Sequence, residues 1–175
     1  MPTVSLRLRP LTRADFPLMA DWLGRPHVAQ WWDEPRGPDA IEDEYGPCID
    51  GTDPTLVFVC EEAGTPVGFV QIYRMADNPG YVESVGFADA AGIDLFVGDA
   101  DRRGAGLGPR MISAGVARMW ASYPEVHGAV AGPSVANLRS CRAFEKAGFV
   151  AVRQVRVPDE KDEELLFFLP RPKGV

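Results

Sequence analysis

The stretch GIDLFVGDADRRGAGLG, Gly92 to Gly108, decides how the rest of the chain is read. Its apolar run from Ile93 to Val97 predicts a strand. A short acidic turn follows, then Arg103-Gly104-Ala105-Gly106-Leu107-Gly108, and an amphipathic run opens at once with Met111, Ile112, Val116 and Met119. Strand, glycine-rich turn and helix in that order offer unpartnered backbone N–H groups and the positive end of a helix dipole to a phosphate. Glycine lets such a backbone take positive φ and approach an anion closely. Two phosphate loops are excluded by spacing. The chain has no Gly-x-x-x-x-Gly-Lys-Ser/Thr, and Gly104, Gly106 and Gly108 do not make Gly-x-Gly-x-x-Gly.

Inside that strand Asp94 is out of place. Its neighbours are Ile93, Leu95, Phe96 and Val97, and both β-propensity and burial disfavour an aspartate there. It either caps a turn at the strand end or has a chemical task, and partial burial would raise its pKa toward that of an amine. A second element downstream, Asn137 to Phe149, reads as a helix stopped by Gly148, with Ser134 as its N-cap.

Working outward, Val4 to Arg9 alternates apolar and polar residues as a half-buried strand does, and Pro10 ends it. Thr12 and Asp15 open a helix that carries Phe16, Met19, Trp22 and Leu23 before Gly24. Arg25 to Glu34 holds too many prolines and aromatics for a regular helix. Its pair Trp31-Trp32 beside Asp33 and Glu34 can wall a sugar or an alkylammonium site, or simply staple helix to loop. Asp39 to Ile49 predicts an acidic helix. Leu56 to Glu61 and Val67 to Arg74 form a hairpin about the turn Ala63-Gly64-Thr65-Pro66, with Gln71 and Tyr73 on one face. Met75 to Ala90 is expected to be an irregular, function-bearing loop, with Asp77, Tyr81, Glu83 and Asp89 in it. Val126 to Ala131 should pair in parallel with the central strand through a right-handed crossover. Phe149 to Val157 and Glu164 to Leu169 close the fold.

A length of 175 residues fits a single domain, residues 1–175, with one sizeable core. No secretory leader is expected from the N-terminus, and no apolar run is long enough to span a membrane. Cys48, Cys60 and Cys141 lack pair spacing and read as small hydrophobes in a reducing cytoplasm. With His27 and His127 as the only histidines, no metal site is expected. A net charge of −7 argues against nucleic acid as a partner. Acids crowd the first part of the chain (Asp33, Glu34, Asp39, Glu42, Asp43, Glu44, Asp50, Asp53, Glu61 and Glu62, against Arg36). Bases crowd the later part (Arg102, Arg103, Arg110, Arg118, Arg139, Arg142 and Lys146). An anionic cofactor suits the basic part and a cationic substrate the acidic part. Each single carboxylate is equally consistent with a solvated helix face. Monomer and homodimer both fit.

Arg103, Gly106 and Gly108, with Asn137 and Glu145-Lys146-Ala147-Gly148-Phe149, resemble the signature motifs of the GNAT superfamily of acetyl-CoA-dependent N-acyltransferases. The resemblance covers nearly the whole chain. It implies an α/β (α+β) GNAT fold: a central mixed sheet of about seven strands, helices on both faces, and a parallel, splayed pair at the cofactor site. Gly98 would permit the splay. Acetyl-CoA is then expected on Phe96, Val97, Arg102, Arg103, Gly104, Ala105, Gly106, Leu107, Gly108 and Asn137. A backbone N–H near Phe96 or Val97 would face the developing oxyanion.

Within the superfamily, Trp22-Leu23, Arg25-Pro26-His27-Val28, Trp31-Trp32, Gly92-Ile93-Asp94 and Asn137-Leu138-Arg139 look like aminoglycoside 6′-N-acetyltransferases of the type Ib group. This implies Asp94 as the catalytic base. It also implies a small polycationic acceptor, an aminoglycoside, on Trp32, Tyr73, Tyr81, Glu83, Asp94 and Asp159. Three positions depart from the group. A tyrosine proposed as acid is Phe144, an aspartate before Pro133-Ser134 is Gly132, and a further aspartate falls near Pro79, where Asp77 or Glu83 could substitute. Two other readings stay open. One is acylation of a lysine-derived or other small amine, as in siderophore assembly; the other is a non-catalytic coenzyme A-binding module.

Overall fold

The computed structural model describes residues 4–33 and 37–175. Glu34 and Arg36, counted above in the charge pattern, lie outside the described residues. A seven-stranded sheet organises the chain, in the order β1-β2-β3-β4-β5-β7-β6. The strands are β1 (Leu6–Pro10), β2 (Leu56–Glu62), β3 (Thr65–Arg74), β4 (Ala91–Val97), β5 (Gly128–Ala131), β6 (Val150–Val155) and β7 (Glu164–Pro170). All neighbours are antiparallel except β4 and β5.

The period-2 pattern of each strand sends alternate residues to opposite faces. On one face Val70, Ile72 and Ile93 pack under α5 (Leu107–Ser122) and α6 (Leu138–Lys146). Leu107, Met111, Ile112 and Met119 of α5 are at most 1% exposed, so each contributes about 1.5–3 kcal/mol of burial. On the other face Val57, Val59, Phe69 and Phe96 pack against α1 (Phe16–Gly24), α2 (Pro26–Ala29) and α3 (Pro38–Asp50). A third cluster joins Val85 of α4 (Pro79–Val85) to Val130 and Leu166.

Several expectations change in detail. Arg25 to Glu34 does contain a helical turn, α2, because Pro26 stands at its first position, where a missing N–H costs nothing. Met75 to Ala90 is irregular only in its last part, residues 86–90: before that a 3₁₀ turn at Met75–Asp77 leads into α4, again opened by a proline. Thr65 and Pro66 belong to β3, and the hairpin turns on Ala63 and Gly64, both at positive φ. The N-cap of α6 is Asn137, whose side-chain oxygen accepts from the Ser140 N–H at 3.2 Å. Ser134 instead accepts from the Ala136 N–H at 3.2 Å in the preceding turn.

Candidate active site

The parallel contact between β4 and β5 is brief. Only Ala91–Ala129 and Gly92–Val130 face each other, and from Ile93 onward the two strands part. The polarity of the opened edge follows from the β3–β4 ladder. At one end Gly98 N–H donates to the Val67 carbonyl at 2.9 Å, and at the other Met75 N–H donates to the Ala90 carbonyl at 3.0 Å. Antiparallel ladders alternate, so Gly92, Asp94 and Phe96 turn their backbone groups toward β3. Leu95 and Val97 turn theirs to the opened side. Phe96 therefore does not present its N–H there, contrary to expectation; its ring packs edge-on against Trp22 and Trp32 and stacks on Phe69.

The end of β4 is clasped by the Arg-Pro-His segment. Arg25 Nη1 donates to the Gly98 carbonyl at 2.7 Å, and His27 Nε2 donates to the Val97 carbonyl at 2.9 Å. Gly98 is a glycine for a packing reason: a Cβ there would lie 2.3 Å from the Trp22 indole. The splay therefore owes nothing to its flexibility.

Beyond β4, Gly104 and Gly106 take φ of +84° and +75°, and Gly106 is the N-cap of α5 with no side chain capping the helix. The first N–H groups of α5 are thus left for an anion, apart from Pro109, which has none. Of the cations, Arg102 is ion-paired with Glu62, which also takes Arg110 at 2.8 Å. Arg103 is exposed, and Arg139 Nη1 comes within 3.5 Å of where a Cβ of Gly104 would stand. An opened strand edge continuing into a bare helix N-terminus fits a long ligand with a diphosphate, the shape of coenzyme A.

On the other side of the split lies a cavity of about 810 Å³. Of the described residues lining it, eight are carboxylates (Asp33, Glu44, Asp53, Asp94, Asp159, Glu160, Asp162 and Glu164) and one is a cation, Lys161. Trp32, Tyr73 and Tyr81 line it too, so most of the expected acceptor residues meet in one place, and Asn137, expected on the coenzyme, borders this cavity as well. Glu83 does not join them. It borders an adjoining hollow with Ser84 and Pro158, which Tyr81 touches as well, because α4 is helical and residues two apart on a helix face different ways. Tyr81 faces in, and Glu83 faces out. Asp77 is likewise absent from the lining.

Asp94 lies at the meeting point of cavity and split. Gln71 Nε2 donates to its Oδ2 at 3.0 Å, and the Tyr73 hydroxyl hydrogen-bonds to it as well. Tyr73 can reach it because Gly92 is bare: a Cβ there would come within 2.3 Å of the tyrosine ring. Burial pushes the Asp94 pKa up, the bonds from Gln71 and Tyr73 hold it down, and the charge of Glu160 adds to the rise. Trp32 closes the cavity with its ring edge-on to Phe69 and Phe96, and its indole N–H is buried with no partner among the described residues. A buried donor without a partner calls for an acceptor oxygen, which a hydroxyl-rich ligand would bring. Phe144 borders the cavity stacked on Phe167 and carries no proton to give. Asp159 sits in the late turn at φ +68°, a conformation aspartate tolerates better than most residues.

Sequence reasoning missed Gln71 as the partner of Asp94, although its place beside Tyr73 on one strand face pointed there. It missed Glu160, Asp162 and Glu164 altogether. Glu164, a charge heading an otherwise apolar strand, was the one available signal.

Comparison with known proteins adds three findings. The family described as Acetyltransferase (GNAT) domain matches residues 12–157. The chain is 31% identical over 159 residues to the aminoglycoside N(6′)-acetyltransferase type 1 of Klebsiella pneumoniae, covering 89% of this chain and 79% of that protein. It is 26% identical over 149 residues to the lysine N-acyltransferase MbtK of Mycobacterium tuberculosis, covering 84% and 69%. Among solved structures, aminoglycoside acetyltransferase AAC(6′)-Ib in complex with coenzyme A and kanamycin superposes with a TM-score of 0.83 at 28% identity, over 95% of each chain.

Proposed function

The chain belongs to the GNAT acetyltransferase family, and from that premise we propose that it transfers acetyl from acetyl-CoA to the 6′-amino group of an aminoglycoside. The observation that carries this reading is the acceptor cavity: eight carboxylates, Asp94 at its inner end among them, and a tryptophan N–H with no partner among the described residues. A polycation rich in hydroxyls satisfies both the charge and the orphaned donor. An acyl chain or an anionic acceptor would leave the carboxylates facing one another.

Each residue then has a task. Arg103, Arg139 and the N-terminal N–H groups of α5 hold the diphosphate, while Arg102, committed to Glu62, braces the loop. Bound there, acetyl-CoA supplies a thioester carbonyl open to attack by an amine. The N–H groups of Leu95 and Val97, fixed by the β3–β4 ladder, point to the side where negative charge develops on that carbonyl oxygen. Asp94 takes the proton from the acceptor ammonium; its raised pKa narrows the gap between them, and Gln71, donating to Oδ2, holds the carboxylate in place. Phe144 cannot protonate the departing thiolate, which leaves unaided or takes its proton from water. Trp32 and the surrounding carboxylates orient the acceptor, Asp159 and Asp162 from the late turn and Glu44 and Asp53 from the other wall.

Residues 1–175 act here as a single domain working in the cytoplasm, where Cys60 and Cys141 stay buried thiols. No helix among the described residues is long and apolar enough to cross a membrane. The test is thiol release from acetyl-CoA in the presence of kanamycin, with the product read by mass spectrometry. A single added acetyl on the 6′-amine is expected; no acetylation at millimolar drug would refute the assignment. A long-chain acyl-CoA outcompeting acetyl-CoA would point instead to the lysine-acylating branch.

A further inference from the structure

Glu164 opens β7 on the cavity wall, and its position is over-determined. Leu165 N–H donates to the Pro133 carbonyl at 2.9 Å, Val135 N–H donates to the Glu163 carbonyl at 2.9 Å, and Ser134 and Glu164 form a bridge between the two segments. The Tyr81 hydroxyl, delivered by α4, donates to Glu164 Oε2 at 2.6 Å. Across from them stands Gly132. A Cβ built there would lie 2.2 Å from Glu164 Oε2 and 2.6 Å from the Tyr81 hydroxyl oxygen, so any side chain at 132 would evict the pair. Three segments distant in sequence thus converge to hold one carboxylate at this wall.

Nothing among the described residues neutralises it. Among the described residues no lysine or arginine forms an ion pair with Glu164. Its charged neighbours include Asp94 and Glu160, both negative, and these add to burial in pushing its pKa up to about 7, against the bond from Tyr81. A carboxylate built in firmly and left facing other carboxylates is a place waiting for a cation.

We infer that Glu164, positioned by Tyr81 and admitted by the bare Gly132, is an acceptor-specificity residue that receives a second ammonium group of the substrate, other than the amine facing Asp94. This rests on the acceptor being the polycationic amine proposed above.

The test compares wild type with Glu164→Gln, nearly isosteric, by calorimetric titration with kanamycin and, separately, with coenzyme A, followed by turnover. Glu164→Gln should weaken kanamycin binding about tenfold, the loss of one charge-assisted contact. It should leave coenzyme A affinity unchanged, and the loss of activity should appear chiefly as a raised KM for kanamycin. Gly132→Asp introduced into Glu164→Ala places a carboxylate in the vacated space and should recover most of the kanamycin affinity. Unchanged kanamycin binding in Glu164→Gln would overturn the inference, as would an equal loss of coenzyme A binding. A wild type that binds kanamycin without acetylating it would sink the transferase reading alone, because the binding comparison still decides Glu164. A wild type that binds no kanamycin would sink both.

Discussion

The two sides of the β4–β5 split recognise their ligands by different means. On the coenzyme side the donors proposed are backbone N–H groups, of Leu95 and Val97 on the opened edge and of the first turn of α5, shaped by Gly104 and Gly106. On the acceptor side the recognising groups are themselves acceptors, side-chain carboxylates contributed by segments scattered from Asp33 to Glu164. Backbone donors depend on local conformation, so their position is tied to one short stretch. Carboxylates depend only on where a charge ends up, so the same field can be rebuilt from a different residue. Gly132 and Glu164 illustrate this: the wall beside Pro133 carries its carboxylate on β7 and none on residue 132 itself.

The contrast can be broken from either side. The largest effect is expected at their junction. Asp94→Asn removes the base while keeping the shape, and should lower kcat by roughly 10²–10³-fold, with coenzyme A affinity within twofold of wild type by calorimetry. Next comes the coenzyme side. Gly106→Val forces a β-branched residue into φ +75°, a strain of about 1–3 kcal/mol at the helix cap, and should weaken coenzyme A about tenfold without touching kanamycin binding. Loss of kanamycin affinity in that variant would mean that the two sides are coupled and the contrast is false.

The smallest effect concerns stability. The Glu164 carboxyl, at 4.5 when unperturbed, is raised to about 7 in the fold, so between those values the folded state holds more protons than the unfolded one. Stability from this group is therefore full below about 4.5 and lost as pH rises through about 7. Glu164→Gln removes that loss. Denaturant melts should show it about 1 kcal/mol more stable than wild type at pH 8, discounted for partial exposure, and no more stable at pH 4. A residue whose removal steadies the fold while weakening the acceptor is one retained for binding.

How far this could be read in the sequence follows the same division. The turn from Arg102 to Gly108 is contiguous, and its glycines and following helix announced it. Asp94 was legible as a misfit within an apolar strand. The short helices α2 and α4 were hidden because each is only a turn or two long and opens on a proline, Pro26 or Pro79, at the helical position where proline is welcome. Without α4 as a helix, Tyr81 and Glu83 looked like equivalent loop residues, when Tyr81 reaches the cavity and Glu83 does not. Which N–H lies on the opened edge depends on ladder parity, so Phe96 could be separated from Leu95 and Val97 only with the pairing in hand. Glu164 depended on three segments meeting, and no local pattern encodes that.

The central claim is that the opened edge of β4 and the bare start of α5 hold a thioester carrier by its diphosphate. Calorimetric titration of the protein with coenzyme A and with pantetheine, which lacks the diphosphate, tests it most directly. The structure predicts saturable coenzyme A binding that is weaker by about a hundredfold or more for pantetheine, as expected when several charge-assisted contacts are lost together. Pantetheine binding as tightly as coenzyme A, or no heat from either, would contradict it.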